Sequence, residues 1–339
     1  MDPLTQASVG AAVAAMLARR SETRWAVLLG ALAGAAPDLD VLIQSESDPL
    51  LALEFHRHLT HSLFIAPFIG LLVAGLCKGL FYWKQWPYAR MALFSVTGAL
   101  THGLIDASTS YGTLLYWPIS GYRESWNIIS IIDPIFTIPL VVLTTIAFVF
   151  RRPQTARSAI ALCLVYLAFG AYQRTQATEF AEALADARGH IPEELTVRPS
   201  FANTLLWRIV YRSGDRYFVD AVRTSPFAEP VYYPGKDVEA FGSDKAQSQL
   251  PAGTVLAEDV ERFRFFSQGY LYRSPEASDV IGDLRYAMHP DSIEPLWGIR
   301  LNMDAPDSNV AFVHFRDPSK RAFARLWRMI SAEPVGIID

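Results

Sequence analysis

Four runs without a single Asp, Glu, Lys or Arg dominate the first half of the chain. They are Ser62–Cys77, Met91–Ile105, Pro134–Phe150 and Ser158–Gln173, of 16, 15, 17 and 16 residues. A membrane-crossing helix needs about 20 apolar residues at 1.5 Å rise each, so each run is slightly short by itself. Flanking side chains extend them. Phe81, Tyr82, Trp83 and Lys84 follow the first run and Arg90 precedes the second. Trp and Tyr favour the membrane interface, and Lys and Arg lay their stems along lipid while the charge stays in water. A soluble helix keeps a polar face, and these runs offer little of one. Two weaker segments, Ala7–Ala18 and Trp25–Ala36, are rich in Ala and Gly. Small residues let helices approach closely in lipid, so these read as short spans or re-entrant helices inside a bundle. A secretory signal peptide fits poorly, because Asp2 stands where a basic region belongs and arginines follow the apolar stretch.

Charge divides the chain. Residues 1–175 hold 12 Lys/Arg and 10 Asp/Glu, and the remaining 164 hold 18 and 24. The split predicts a membrane-embedded helical domain over 1–175, with about four to six membrane segments, and a soluble domain over 176–339. In the second part, Leu205–Arg212 and Tyr217–Thr224 flank Ser213-Gly214-Asp215, a hairpin signal. Further strands are expected over Asp283–Met288, Trp297–Met303 and Val310–Phe315, with helices over Glu258–Phe266 and Lys320–Ser331. The expected fold class is therefore a multi-pass α-helical membrane bundle followed by a smaller α+β soluble domain. A hydrophobic content of 51% excludes disorder. A net charge of −4 leaves no general basic surface, so no nucleic-acid partner is expected. Cys77 and Cys163 lie in apolar stretches and do not suggest a disulfide framework.

If six segments alternate across a bilayer, their connections sort by sign. One set carries Arg19, Arg20, Arg24, Lys78, Lys84, Arg90, Arg151, Arg152 and Arg157. The other carries Asp2, the Pro37–Asp40 turn, the His56–His61 cluster, His102–Asp106 and Asp133. Basic loops stay cytoplasmic. The Asp/His ends, and with an even segment number the C-terminal domain, would face the opposite, extracytoplasmic side.

The Asp/His set carries the chemistry. His102 and Asp106 are four apart and share a helix face. They could bind one metal ion, or the Asp could orient the His, or the two could simply tie a helix end. Asp38 and Asp40 could converge on a cation, or could cap a helix. Asp133 has the same capping alternative. Jointly, Asp38, Asp40, His56, His61, His102, Asp106 and Asp133 come from four regions and fall at one membrane face. Unpaired carboxylates gathered there would repel one another, and bound cations remove that cost. Mixed imidazole and carboxylate donors suit Zn²⁺ or Mn²⁺, and seven candidates exceed one tetrahedral site, so two ions are conceivable.

At these residues the chain resembles the YdjM-like family of inner-membrane proteins, regarded as metal-dependent hydrolases. The matching pieces are Met1-Asp2-Pro3-Leu4-Thr5, Pro37-Asp38-Leu39-Asp40, His56-Arg57 with Thr60-His61-Ser62, and His102 through Gly112, with Asp133 in a family position. The resemblance covers roughly residues 1–175. It implies a membrane-embedded helical bundle with a metal site and a hydrolase activity, phospholipid-like substrates included. The family's opening motif commonly continues with His, where this chain has Gln6, so that a ligand is absent or replaced by Asp2. The family often has Gly in place of His58, which ranks His58 below His56 and His61.

The resulting expectation is a membrane-bound hydrolase that cleaves a phosphoester or other amphiphilic substrate with metal-activated water. Asp38, Asp40, His61, His102 and Asp106 hold the metal, with Asp2 and His58 as lesser candidates. His56 or Asp133 moves protons. Arg57 holds an anionic substrate group, or anchors to lipid headgroups. The alternative is a non-enzymatic membrane regulator or scaffold with a structural metal. A transporter with an Asp/His ion path ranks last, because its polar groups would be spread through the bilayer depth.

Overall fold

A computed structural model describes residues 1–80, 86–242 and 250–335. Phe81–Lys84, expected to flank the first run, lie outside the described residues. The chain divides into two compact units. One comprises 1–43 and 55–171, the other 44–54 and 172–339.

The first unit is helical: α1 (Pro3–Met16), α2 (Thr23–Ala35), α4 (Ala66–Leu80), α5 (Tyr88–Ser108), α6 (Pro134–Phe150) and the first half of α7 (Pro153–Ala187). A short α3 (Leu51–Phe55) straddles the boundary between the units. A 3₁₀ turn over Ala36–Leu42 continues α2, and another over Leu59–His61 precedes α4. Asp2 caps α1 by accepting from the Thr5 N–H, and Asp133 caps α6 by accepting from the N–H groups of Ile135 and Phe136.

The Ala/Gly-rich opening is the packing centre of this unit. Nine residues of α1 are buried, mostly alanine, glycine and small polar groups. A Cβ built on Gly30 would lie 2.4 Å from the Gly10 carbonyl oxygen and 2.5 Å from the Ala14 Cβ. Such an approach is open only to glycine, as at close helix crossings in lipid. Arginines tie helix ends together. Arg24 donates to the carbonyls of Phe148 and Val149, Arg90 to Glu22, and Arg157 to the Met16 carbonyl. The end of α1, the starts of α2, α5 and α7, and the end of α6 therefore gather at one basic end. The end of α2 and the end of α5 carry the Asp/His motifs at the other.

Two helical stretches are long and apolar enough to cross a membrane among the described residues, Thr23–Leu42 and Pro153–Ala187. A third is reached if Leu51–His61 and Ala66–Leu80, bent by 82°, count as one broken span. The four uncharged runs are thus an uneven guide. Ser158–Gln173 lies inside a complete candidate, Ser62–Cys77 qualifies only through the bent pair, and Pro134–Phe150 is a shorter apolar helix. Trp25–Ala36, the weaker segment by composition, belongs to a candidate span because the 3₁₀ turn lengthens its helix.

The second unit holds two antiparallel sheets. The first comprises β1 (Glu194–Pro199), β2 (Leu206–Ser213), β3 (Arg216–Arg223) and β4 (Val231–Tyr233) in that order, with β5 (Asp237–Glu239) also on β3. The second runs β6 (Leu271–Arg273), β7 (Val280–Asp283), β8 (Trp297–Arg300) and β9 (Ala311–His314). The expected hairpin is present, with Ser213 paired to Arg216 across Gly214-Asp215. The strand expected over Asp283–Met288 instead ends at Asp283. Its buried carboxylate accepts from the Arg285 N–H and guanidinium, which turns the chain out of the ladder. The later half of α7 packs Ala177, Ala181 and Ala185 on Val197, Trp207 and Ile209. Among the described residues the unit also holds two helices, α8 (Val255–Phe266) and α9 (Lys320–Ile330). Residues 44–54 belong to it through Arg262, whose guanidinium pairs with Asp48 and Glu54, and through Asn309, which donates to the Ser47 carbonyl.

Because the α1–α2 crossing has no space for a side chain, Gly30→Val should destabilise the protein by about 1–3 kcal/mol. Gly75→Ala, which meets nothing within 4 Å, should leave stability nearly unchanged. Thermal unfolding of the two variants in detergent, followed by circular dichroism, checks this contrast.

Candidate metal centre

Asp38 enters from the 3₁₀ turn at the end of α2, His61 from the short turn before α4, and His102 and Asp106 from successive turns of α5. One donor atom from each of these four residues lies within 4.8 Å of every other. His61 Nε2 stands 3.4 Å from Asp38 Oδ1 and 3.1 Å from Asp106 Oδ2. His102 Nε2 stands 3.4 and 3.5 Å from the same two oxygens. Ligands about 2.0 Å from a tetrahedral ion are separated from one another by about 3.3 Å. The four measured edges match that spacing.

The site is built by close backbone approach. A Cβ on Gly103 would lie 2.2 Å from the His61 carbonyl oxygen, so the absence of a side chain there lets the His61 turn rest directly on α5. Both imidazoles are held from behind. His102 Nδ1 is 2.6 Å from the Gly34 carbonyl. A carbonyl only accepts, so Nδ1 carries the proton and Nε2 presents a lone pair. Pro37 has no N–H to donate to that carbonyl in the 3₁₀ register, which leaves it available to the histidine. His61 Nδ1 lies 3.0 Å from Thr60 Oγ1 and 3.3 Å from Asp40 Oδ2. Thr60 donates its own proton to Asp40, so its oxygen accepts from His61 Nδ1. In the neutral ring, Nε2 of His61 therefore also offers a lone pair inward.

The inward atoms lack hydrogen bonds. His61 Nε2, His102 Nε2 and Asp106 Oδ2 are buried with no hydrogen-bond partner among the described residues, as is the second carboxylate oxygen of Asp38, Oδ2. Their mutual contacts are within ion-pair distance but not aligned as hydrogen bonds. Buried acceptors that face one another are costly unless a cation or protons lie between them. The other oxygen of Asp106 is already compensated by the Met1 amino group and by the Arg57 guanidinium at 3.3 Å. The cluster of Asp38, His61, His102 and Asp106 could thus hold a metal ion.

The other expected residues are placed around this core. Asp40 stands behind His61 and also accepts from the Arg57 N–H and meets His56 Nδ1 at 2.9 Å. It orients two histidines and is not among the four grouped donors. His56 is partly open, with its side chain 28% exposed, and its ring packs on Tyr111 and on His61. Arg57 is buried, donates to Thr109 Oγ1, lies over the Tyr111 ring and reaches Asp106. Asp133 is buried away from the group, with one oxygen on the α6 N–H groups and the other accepting from the Tyr166 hydroxyl. Asp2 is occupied by the backbone N–H and the hydroxyl of Thr5. His58 precedes the His61 turn, with its ring near Phe55 and Trp117. Gln6 donates to the His102 carbonyl, so it supports α5 from the position where the resembled family carries His. Residue type alone gave Thr60 and the Gly34 carbonyl no part in the site. A hydroxyl beside a candidate ligand and a proline three residues after a glycine were the available signals.

Apolar helices that present buried imidazoles and carboxylates toward one point define a membrane-type helical protein with a candidate metal centre. The chain belongs to the YdjM inner membrane protein family, whose model matches residues 1–177. The resemblance drawn from the motifs is thereby confirmed, and the apolar helices are consistent with an inner-membrane location. Neither a curated protein nor a solved structure matches the chain.

Removing the group behind a metal-ligating histidine typically lowers affinity by about 10–100-fold. Asp40→Ala should weaken divalent-metal binding by that amount, while His102→Ala should abolish tight binding. Competition titration against a chromogenic chelator measures both.

Proposed function

We propose that this protein is a membrane-bound metal-dependent hydrolase acting on a phosphoester or phospholipid-like substrate. The donor set carries the reading. Two imidazole nitrogens and two carboxylate oxygens, without a thiolate, resemble hydrolytic centres more than the cysteine-rich sites that hold structural zinc. Both cysteines lie elsewhere. A divalent ion such as Zn²⁺ or Mn²⁺, bound by Asp38, His61, His102 and Asp106, would supply Lewis acidity and a water that ionises near neutral pH. The Asp38 side chain is 17% exposed while the other three donors are enclosed, so substrate approaches from the Asp38 side. His56 is the partly open titratable group beside the centre, and Asp40 fixes its ring. We assign it the proton transfer that hydrolysis requires. We assign Arg57 to Asp106 rather than to a substrate anion, because its two terminal nitrogens meet Thr109 and Asp106 and its plane lies over Tyr111, while its buried Nε has no hydrogen-bond partner among the described residues.

We further infer a multi-pass topology with the metal centre and the C-terminal domain on the extracytoplasmic side. The support is the gathering of Arg24, Arg90 and Arg157 at one end of the helices and the Asp/His motifs at the other, read with the positive-inside rule.

A second reading has its own support. Four protein donors complete a tetrahedron, as in closed structural sites, which suits a regulator or scaffold. Metal analysis of the purified protein and of His61→Ala and Asp106→Asn, beside a panel of phosphoester and phospholipid substrates, separates the two. The hydrolase reading expects about one divalent ion per chain, lost in both variants together with hydrolysis. It also expects His56→Ala to keep the metal while turnover falls by about 10²-fold. Bound metal without hydrolysis of any substrate would favour the scaffold, and metal-free wild type would overturn both. A reporter at the C-terminus should read extracytoplasmic, and a cytoplasmic signal would overturn the topology.

A further inference from the structure

The last helix of the second unit carries a surface that neither the fold nor the metal centre uses. Ala322, Leu326 and Met329 of α9 are buried, the last two against Leu206, Ala221 and Tyr233. The helix is clamped there. Ser319 caps it, Arg223 donates to the Ile330 carbonyl, Tyr233 donates to the Met329 carbonyl, and Arg325 pairs with Asp291. The opposite face consists of Lys320, Arg321, Phe323, Ala324, Trp327 and Arg328, all exposed. No acidic residue lies on the helix. The nearest in sequence are Asp317, whose oxygens accept from Ser319, and Glu333 beyond the end.

Phe323 and Trp327 stand one turn apart, 45% and 67% exposed. Phe201, also exposed, packs its ring against Phe323 at 6.2 Å and enlarges the aromatic patch. Exposing Trp and Phe to water is unfavourable, and a rigid helix gives them no local refuge. Trp beside Lys and Arg is the combination that favours a lipid headgroup region, where an amphipathic ring and a cation are both satisfied. Anionic lipid attracts clustered cations over about a Debye length. With an overall charge of −4, the chain would not attract a polyanion by its charge as a whole. The attraction is local to this face.

We propose that the exposed face of α9 is a docking surface for an anionic phospholipid bilayer. The aromatic residues Phe323 and Trp327 enter the headgroup layer, and Lys320, Arg321 and Arg328 pair with phosphate. The proposal stands independently of any hydrolase activity.

The test uses the full chain reconstituted in vesicles of phosphatidylcholine alone or mixed with phosphatidylglycerol, each containing bromine-labelled acyl chains. The difference in fluorescence between wild type and Trp327→Phe isolates Trp327. We expect quenching of that difference signal to rise at least about twofold when phosphatidylglycerol is present. It should fall back in high salt and in Arg321→Glu/Arg328→Glu, whose exposed positions leave the fold intact. Quenching that ignores lipid charge, or no quenching in either vesicle, overturns the proposal. Trp327 shielded from iodide in detergent yet unquenched by bromolipid would place a protein on this face and would equally overturn it.

Discussion

Four lone pairs directed at one buried point set the terms for the helical unit. Each imidazole is fixed by a proton on its far nitrogen, and Asp106 is fixed by cations on its far oxygen, so none of these three donors can turn away. The energetic tension of placing acceptors together without donors is built into the fold by its hydrogen bonds. A cation or protons between them relieve it, and the backbone is shaped to bring the donors within reach of one ion. Pro37 withholds an N–H, Gly103 withholds a side chain, and both omissions bring a donor to the centre.

The packing of α1 on α2 and of α2 on α5 serves the same end. Helices separated by glycine and alanine lie close, and their ends lie correspondingly close. Asp38 can therefore reach His102 from a turn only a few residues beyond the crossing. Larger residues at Gly10, Gly30 or Gly98 would separate the axes and move one ligand relative to the others. Close packing and the gathering of the candidate donors are thus two consequences of one set of small residues.

The sequence made some of this plain and hid the rest for identifiable reasons. His102 and Asp106 were legible as a pair because a helix fixes the relation between positions four apart. Asp38 and Asp40 could not be ranked, since their directions depend on the 3₁₀ turn. Three histidines within six residues were equally ambiguous. Arg57 adopts a left-handed backbone at φ 60°, so no regular periodicity relates the directions of the three rings. Asp133 carried both a capping and a proton-transfer reading, and the structure shows both of its oxygens engaged, in the cap and by Tyr166. In the second unit the hairpin was legible from its two-residue turn, whereas the end of β7 depended on a buried Asp283–Arg285 contact that no periodicity reports. Hydropathy overstated the separate uncharged runs and understated Trp25–Ala36, because span length depends on how a helix continues past its apolar core.

The route of the chain between Asp38 and His61 has a consequence for the centre. Residues 44–54 leave the helical unit and join the second one, where Arg262 and Asn309 hold them. The two candidate ligands are therefore brought together by the packing of the helical unit, not by the segment that joins them in sequence. An ion held by Asp38, His61, His102 and Asp106 would engage only that packed unit and would stabilise it by mass action.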